Sequence, residues 1–238
     1  MSSSISLFAR AGHKLKTEGA AALLKTAAAF FDGRLKRLSR SLFGYSVVYL
    51  YEHTMKARSE ADFLPSMQDY LYKIVSNNQQ ADELAQNGFQ DFRRIWQAAR
   101  RGLDTGGIAF CVFSGRELAH IGWVATSGEA KDTFDPLPYH VDFSSNEACT
   151  GGTWTSPKYR SQGLMKYIYF KRFQFLRENG IKISRNAVDI GNVTSHKVHA
   201  KFGPRIYARA RYLKLGKWYL KKETPVSLVG QPWDKPRT

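Results

Sequence analysis

The run Thr155-Ser-Pro-Lys-Tyr-Arg-Ser-Gln-Gly-Leu164 constrains this chain more than any other stretch. It reads as a strand end, a turn, a polar loop and the start of a helix. Pro157 stops a strand pattern because proline cannot donate to a ladder. Arg160, Ser161, Gln162 and Gly163 form a tight polar loop, and the apolar-periodic segment Leu164 to Leu176 follows at once as a helix. The first turn of a helix carries N–H groups without intrahelical partners and the positive end of its dipole, which suits an anion. Gly163 lets a ligand approach the backbone closely. These residues together suggest a pyrophosphate held by main-chain amides.

A second segment, Asn192-Val-Thr-Ser-His-Lys-Val-His-Ala-Lys-Phe-Gly203, follows a predicted strand from Ser184 to Ile190. With the first run it resembles the acyl-CoA-binding core of the GNAT (GCN5-related) acyltransferases. Residues 155–165 follow that family's pattern of a valine-like residue, x, Pro, x, Tyr, Arg, x, x, Gly, x, then Gly or Ala. Residues 192–203 follow its Asn, x, x, Ser or Ala, x, x, apolar, Tyr, x, Lys, apolar, Gly. Three positions depart: Met165 stands where Gly or Ala is usual, His199 where Tyr is frequent, and Pro204 where Phe is frequent. The motifs cover roughly Glu147 to Phe202, and the order of elements extends the resemblance over about Ser46 to Glu223.

The resemblance implies an α/β fold: a mixed, twisted central sheet flanked by helices, with two neighbouring strands splayed around the pantetheine arm of acyl-CoA. Carried over by position, the backbone of Thr155, Ser156 and Pro157 would pair with pantetheine. The amides of Arg160, Ser161, Gln162, Gly163, Leu164 and Met165 would hold the pyrophosphate. Asn192 and Ser195 would touch the arm or the phosphates. No metal is implied. The reaction would be direct attack of an amine on the thioester in a ternary complex.

That chemistry needs a neutral amine, whose usual pKa of about 10.4 makes deprotonation cost roughly 4 kcal/mol at neutral pH. It also needs a donor at the developing oxyanion, worth about 3 kcal/mol, and an acid for the departing thiolate. Glu147 is the first candidate base, since some enzymes of this family carry a glutamate on that strand. Alternation puts Glu147, Cys149, Gly151, Thr153 and Thr155 on one face if no bulge intervenes, and apolar neighbours would raise the carboxyl's pKa. The other reading is an exposed strand-end charge, and His140 and Asp142 compete for the role. At position 199 many relatives carry a tyrosine that protonates the thiolate. His199 would act there as imidazolium or as a relay, or would only pack beside the sulfur. His196, one turn away, is expected to face solvent, and the pair lacks the carboxylate or cysteine of a metal site.

Composition places these motifs in a globular protein. The 238 residues suit one α/β domain with an extension. Two cysteines, Cys111 and Cys149, both in apolar runs, argue against a disulfide framework and read as small core residues. No apolar stretch is long enough to span a bilayer. The opening Met1-Ser-Ser-Ser-Ile lacks the pattern of a secretory signal, while its Ser-rich, acid-poor character up to Glu18 leaves an organellar transit peptide open. The expected location is cytoplasmic, or peripheral on the inner face of the membrane.

Net charge is +16. Positive potential suits a polyanionic co-substrate such as acyl-CoA, and so large an excess also fits an anionic membrane surface or an acidic glycan. Nucleic acid is disfavoured, because the basic residues are dispersed and no nucleic-acid motif is present. Glu18 to Leu42 reads as a basic amphipathic helix with a Leu24, Ala27, Phe31, Leu35, Leu38, Leu42 stripe. It either packs on the domain or lies on the membrane.

The remaining pattern predicts strands at Tyr45 to Glu52 and Tyr70 to Val75, then two helices between Asn78 and Gly102. A hairpin follows around Ser114-Gly115-Arg116, then a loop from Ser127 to Pro138 and a strand from Glu147 to Thr155. A helix ends at Gly180, and a basic hairpin turns near Gly216. The expected division is a helical extension 1–44, an acyltransferase domain 45–224 and an irregular tail 225–238. The function implied is an acyl-CoA-dependent N-acyltransferase, acetyl by default, acting on an amine such as an amino sugar or another cell-envelope precursor. Alternatives are a long-chain N-acyltransferase of lipid or acyl-amino-acid synthesis, and a non-catalytic CoA-binding or interaction module. A homodimer is compatible with all three.

Overall fold

The computed structural model describes residues 43–216 and 218–229. The expected helix from Glu18 to Leu42 lies outside the described residues. Two units are distinguished among the described residues: 46–211 with 221–229, and 43–45 with 212–216 and 218–220. In the smaller unit Tyr45, Trp218 and Leu220 are exposed.

Eight strands form one sheet in the order β2-β3-β4-β5-β6-β1-β7-β8. They are β1 (Phe43–Thr54), β2 (Tyr70–Val75), β3 (Ile108–Ser114), β4 (Glu117–Ala125), β5 (Glu147–Thr155), β6 (Ile183–Asp189), β7 (Arg205–Leu215) and β8 (Trp218–Val229). Strands β2 to β5 pair antiparallel in sequence, β5 pairs parallel with β6, and β6 pairs antiparallel with β1. The sheet is therefore mixed, as the resemblance implies.

Helices cover both faces, which explains the apolar run Ile108-Ala-Phe-Cys-Val-Phe113 in β3: a central strand with both faces covered needs no polar alternation. Phe110 and Val112 pack with Leu164, Ile168 and Phe173 of α4 (Leu164–Glu178). Ala109, Cys111 and Phe113 pack on the other face with Phe92, Leu103 and Trp123. The helix α4 ends as expected: Gly180 takes a φ of 76°, and the Ile181 amide returns to the Leu176 carbonyl at 2.9 Å.

Three local expectations differ. The segment that reads as a loop from Ser127 to Pro138 holds a helix, Gly128–Phe134, whose N-cap Ser127 accepts the Ala130 amide at 3.2 Å. Its Ser-Gly start and the prolines after it obscure a valid N-cap. Between Asn78 and Gly102 the chain forms Asn78–Gln86 (α1), a single turn Phe92–Arg94, and Ala99–Asp104 (α2), with Gly128–Phe134 then α3. Strand β8 runs through Pro225, where an irregular tail is expected to begin. It is an edge strand, where a missing N–H can face away from the ladder.

Candidate active-site cleft

Strands β5 and β6 pair only as far as Glu147↔Ile183, Ala148↔Ser184 and Cys149↔Arg185. A buried hydroxyl pair, Thr150 with Ser184 at 2.9 Å, closes the ladder. Beyond it the strands diverge, and a cleft of about 260 Å³, open to solvent, lies between them. Gly151 to Thr153 and Thr155 line one wall, Asn186 to Asp189 the other, with Met165 and Tyr169 from α4 and Asn192, Thr194 and Ser195 from the start of α5 (Val193–Ala200) completing it. Divergence leaves backbone donors and acceptors of both strands without each other, so the cleft suits an extended ligand carrying its own amides.

The wall at Gly151-Gly152 is bulged. The pairing of β4 with β5 shifts register between Ile121↔Trp154 and Trp123↔Gly151. Gly152 takes a φ of 53°, and a Cβ there would sit 2.8 Å from Trp123 and 2.9 Å from Phe134. The expected single face from Glu147 to Thr155 is therefore broken by an inserted residue, which re-aims the backbone at the cleft. Under the bulge lies Arg172, fully buried, whose Nη1 donates to the carbonyls of Trp123 and Gly151 at 3.1 Å each. Its guanidinium stacks 3.9 Å from the Tyr169 ring centroid. Gly122 makes room for it, since a Cβ at that position would lie 3.0 Å from the guanidinium carbon.

At the other end, Ser161 (φ 62°) and Gly163 (φ 77°) take left-handed conformations and turn the loop into α4. Gly163 is the N-cap and no side chain caps the helix, so its first-turn amides remain open. Arg160 and Ser161 are exposed and Gln162 is half-buried. Of the residues expected to hold acyl-CoA, Thr155, Met165, Asn192 and Ser195 line the cleft. Ser156, Pro157 and the loop to Gly163 lie between β5 and the N-terminus of α4. The Leu164 side chain is core, so only its amide could serve. Asn192 also has a structural role, since its side chain caps α5 by accepting the Ser195 amide at 3.1 Å.

Glu147 corrects an expectation. It is buried, but Arg185 grips both its oxygens, and Oε2 also accepts the Asp142 amide at 2.9 Å. Arg185 holds the carboxyl below its ordinary pKa, the reverse of the rise expected from apolar neighbours. Arg185 continues to Glu52 at 2.9 Å, and Glu52 to Arg205 at 3.1 Å. Glu147 does not line the cleft, nor do His140, which is exposed, and Asp142, which accepts from Ser144.

The histidines correct another. His196 is buried rather than facing solvent, with Nδ1 2.7 Å from the Tyr51 hydroxyl. His199 is fully buried behind the cleft wall: Nδ1 is 2.9 Å from His53 Nε2, and Nε2 is 3.1 Å from the Asn186 side-chain nitrogen. Burial, then the charges of His53 and Arg172, push its pKa well below the ordinary value. It is therefore neutral at pH 7, and the imidazolium reading fails. Asn186, not His199, lines the cleft.

Motif matching passes over position 169. Tyr169 follows Met165 by one helical turn, and both face the cleft. The signal that finds it is the i, i+4 step from the last motif residue. Two further buried groups stand behind the walls. His120 bonds the Thr155 hydroxyl at 2.8 Å, and burial lowers its pKa to about 3. Cys149 meets the Tyr139 hydroxyl at 3.2 Å, and burial pushes its thiol up to about 12, which fits the core reading and not a nucleophile. Among the described residues, no group of three or more His, Cys, Asp or Glu side chains is placed to hold a metal.

No family model and no curated protein matches the chain. Among solved structures, it is similar to a Drosophila protein at 12% identity, covering 79% of this chain and 58% of that one, with a TM-score of 0.46. It is similar to a GCN5-related glucosamine N-acetyltransferase region of a fungal multi-domain β-N-acetylglucosaminidase at 14% identity, covering 79% and 22%, with a TM-score of 0.48. A GNAT-family acetyltransferase from Colwellia psychrerythraea gives 15% identity, 73% and 57% coverage and a TM-score of 0.47. The chain spans less than two thirds of the length of each.

Proposed function

We propose that this chain is an acyl-CoA-dependent N-acyltransferase that binds its donor between β5 and β6. The observation that carries the reading is the divergence after Cys149↔Arg185, because it coincides with the two sequence motifs. The residues present fit an acyl-CoA. Diverging strand edges match the amides of a pantetheine arm. The uncapped first turn of α4 beyond the left-handed Gly163 matches a pyrophosphate. Buried Asn186 Oδ1 has no hydrogen-bond partner among the described residues and so offers an acceptor beside the cleft.

In this reading the donor arm lies along the bulged wall. The bulge at Gly152 frees backbone N–H groups from the β4 ladder, which is the kind of donor an oxyanion needs. A neutral acceptor amine attacks the thioester carbon, the amide bond forms, and the C–S bond breaks. With Glu147 paired to Arg185, the amine proton leaves through water rather than through that carboxylate. Acetyl is the default acyl group, and the acceptor is an amine such as an amino sugar or another envelope precursor. Among the described residues no helix is long and apolar enough to cross a membrane. A long-chain donor working at a membrane surface is the other arm of the test.

A specific observation favours a second reading, a CoA-binding module without turnover. Both side chains expected to do chemistry, Glu147 and His199, are withdrawn from the cleft. One experiment separates the readings. Calorimetry with acetyl-CoA and palmitoyl-CoA is paired with thiol release on adding a panel of amines. Binding with release supports the enzyme, binding without release supports the module, and no binding removes both.

A further inference from the structure

We infer that Tyr169 is the proton donor to the departing thiolate, a role the sequence resemblance would place at residue 199. This rests on the acyltransferase reading above. Of the described residues that line the cleft, only Tyr169 and Asp189 are titratable. Asp189 is an exposed carboxyl at the outer end of β6, and its Oδ1 already accepts the Gly191 amide at 2.8 Å. The other O–H groups are the aliphatic hydroxyls of Thr153, Thr155, Thr194 and Ser195, which do not ionise in the range of a thiol. Tyr169 is the remaining acid.

Its surroundings suit that role. The ring is packed edge-on against His199, with centroids 4.6 Å apart, so neutral His199 holds the phenol in place instead of supplying the proton. Arg172 stacks on the same ring at 3.9 Å. That guanidinium is fully buried, has no carboxylate partner among the described residues, and leaves Nε and Nη2 without hydrogen bonds. A buried cation without a counterion is costly. Beside a phenol that becomes a phenolate, it stabilises the charge that appears during the reaction. Burial raises the Tyr169 pKa and the Arg172 charge pulls against that rise, with the net shift upward, so the group is protonated at pH 7.

The step balances. As the amine lone pair forms the C–N bond, the C–S pair leaves on sulfur. Sulfur takes the Tyr169 proton, and the phenolate recovers through solvent the proton that the amine released. Tyr169 is thus a catalytic residue, and Arg172 and His199 are positioning residues.

The test uses the full chain with acetyl-CoA as donor and hydroxylamine, neutral at pH 7, as acceptor. Three proteins are compared: the parent, Tyr169→Phe, and the protein with 3-fluorotyrosine at 169. Tyr169→Phe should bind acetyl-CoA within about twofold of the parent while kcat falls about a hundredfold. Fluorotyrosine, a stronger acid of nearly the same shape, should raise kcat with affinity unchanged, which a packing role would not do. If Tyr169→Phe fails to fold, the fluorotyrosine protein decides alone. Unchanged kcat in both variants with normal binding overturns the role of Tyr169 and leaves the acyltransferase standing. A parent that binds no acetyl-CoA, or binds it without turnover, overturns both.

Discussion

Arg185 holds Glu147 through two parallel bonds, Nε to Oε2 at 2.6 Å and Nη2 to Oε1 at 2.7 Å. The pair sits where β5 and β6 are still in register, with Glu147 opposite Ile183 and Arg185 opposite Cys149. It therefore fastens the closed end of the two strands whose other end opens into the cleft. Bidentate geometry makes it stronger than an ordinary surface pair.

Glu147→Gln should lower stability by about 2 kcal/mol at pH 7, since it unpairs a largely buried arginine contact. The sign with pH follows from the lowered carboxyl pKa in the folded state. Unfolded chains bind that proton more readily, so the contribution is present in full above the ordinary carboxylate range and is lost as pH falls from there through the lowered folded-state value. The gap between parent and variant in urea unfolding should therefore narrow once pH is taken below the range of about 3.9 to 4.3 for model carboxylates. A variant of parental stability whose kcat has dropped about a hundredfold would instead make Glu147 the base.

Acid should destabilise the parent well before its carboxylates titrate. His53 and His120 both have pKa values lowered to about 3, by burial first and then by the Arg172 charge, and His199 is lowered too. A histidine buried neutral contributes stability above its unfolded pKa of about 6.5, and loses about 1.4 kcal/mol for each pH unit below it until the folded value is reached. Thermal melts should fall with increasing steepness as pH is stepped from about one unit above that unfolded value to about one unit below it. A flat profile over that interval would mean these imidazoles titrate alike in both states.

Gly152→Ala should both destabilise the fold and damage the cleft. A Cβ there meets Trp123 at 2.8 Å and Phe134 at 2.9 Å on a residue held at φ 53°. The combined clash and left-handed strain should cost about 2 to 3 kcal/mol. Gly128, with nothing within 4 Å of an added Cβ and an ordinary φ, is the control at which alanine should be tolerated. Equal melting temperatures for the two alanine variants would contradict the bulge geometry.

Gly163→Ala separates binding from folding better than a bulkier change. The added methyl has room, with Pro65 Cα at 3.5 Å, but the left-handed backbone there costs an L-residue about 1 to 2 kcal/mol. The variant should fold and bind acetyl-CoA more weakly. Exposed Arg160→Glu should weaken binding without touching stability, because it reverses charge beside the open amides. Calorimetric affinities matching the parent in both variants would take the pyrophosphate away from this loop.

Much of the cleft is legible in the sequence because it is built from local chemistry. Pro157 ending β5, Gly163 starting α4 and Asn192 capping α5 are short-range effects of ring closure, a missing Cβ and a side-chain acceptor, and each acts where it stands in the chain. The i, i+4 spacing of Met165 and Tyr169 is equally local, though it lies beyond the motif's last residue. The partner of each polar side chain across the sheet is not legible. Glu147 meets Arg185 from a strand 38 residues away, His199 meets His53 across 146, and Arg172 reaches Trp123 across 49.

By itself, then, the sequence determined the order of strands, the helix start that can face an anion, and the apolar strands that bury both faces. Those follow from periodicity and backbone restriction, which are properties of neighbouring residues. The tertiary structure alone decided which titratable groups reach the cleft and in what charge state. Burial and pairing set those states, and both depend on which strands lie side by side: the same histidine that reads as an acid in the motif is neutral once His53 and Asn186 close around it.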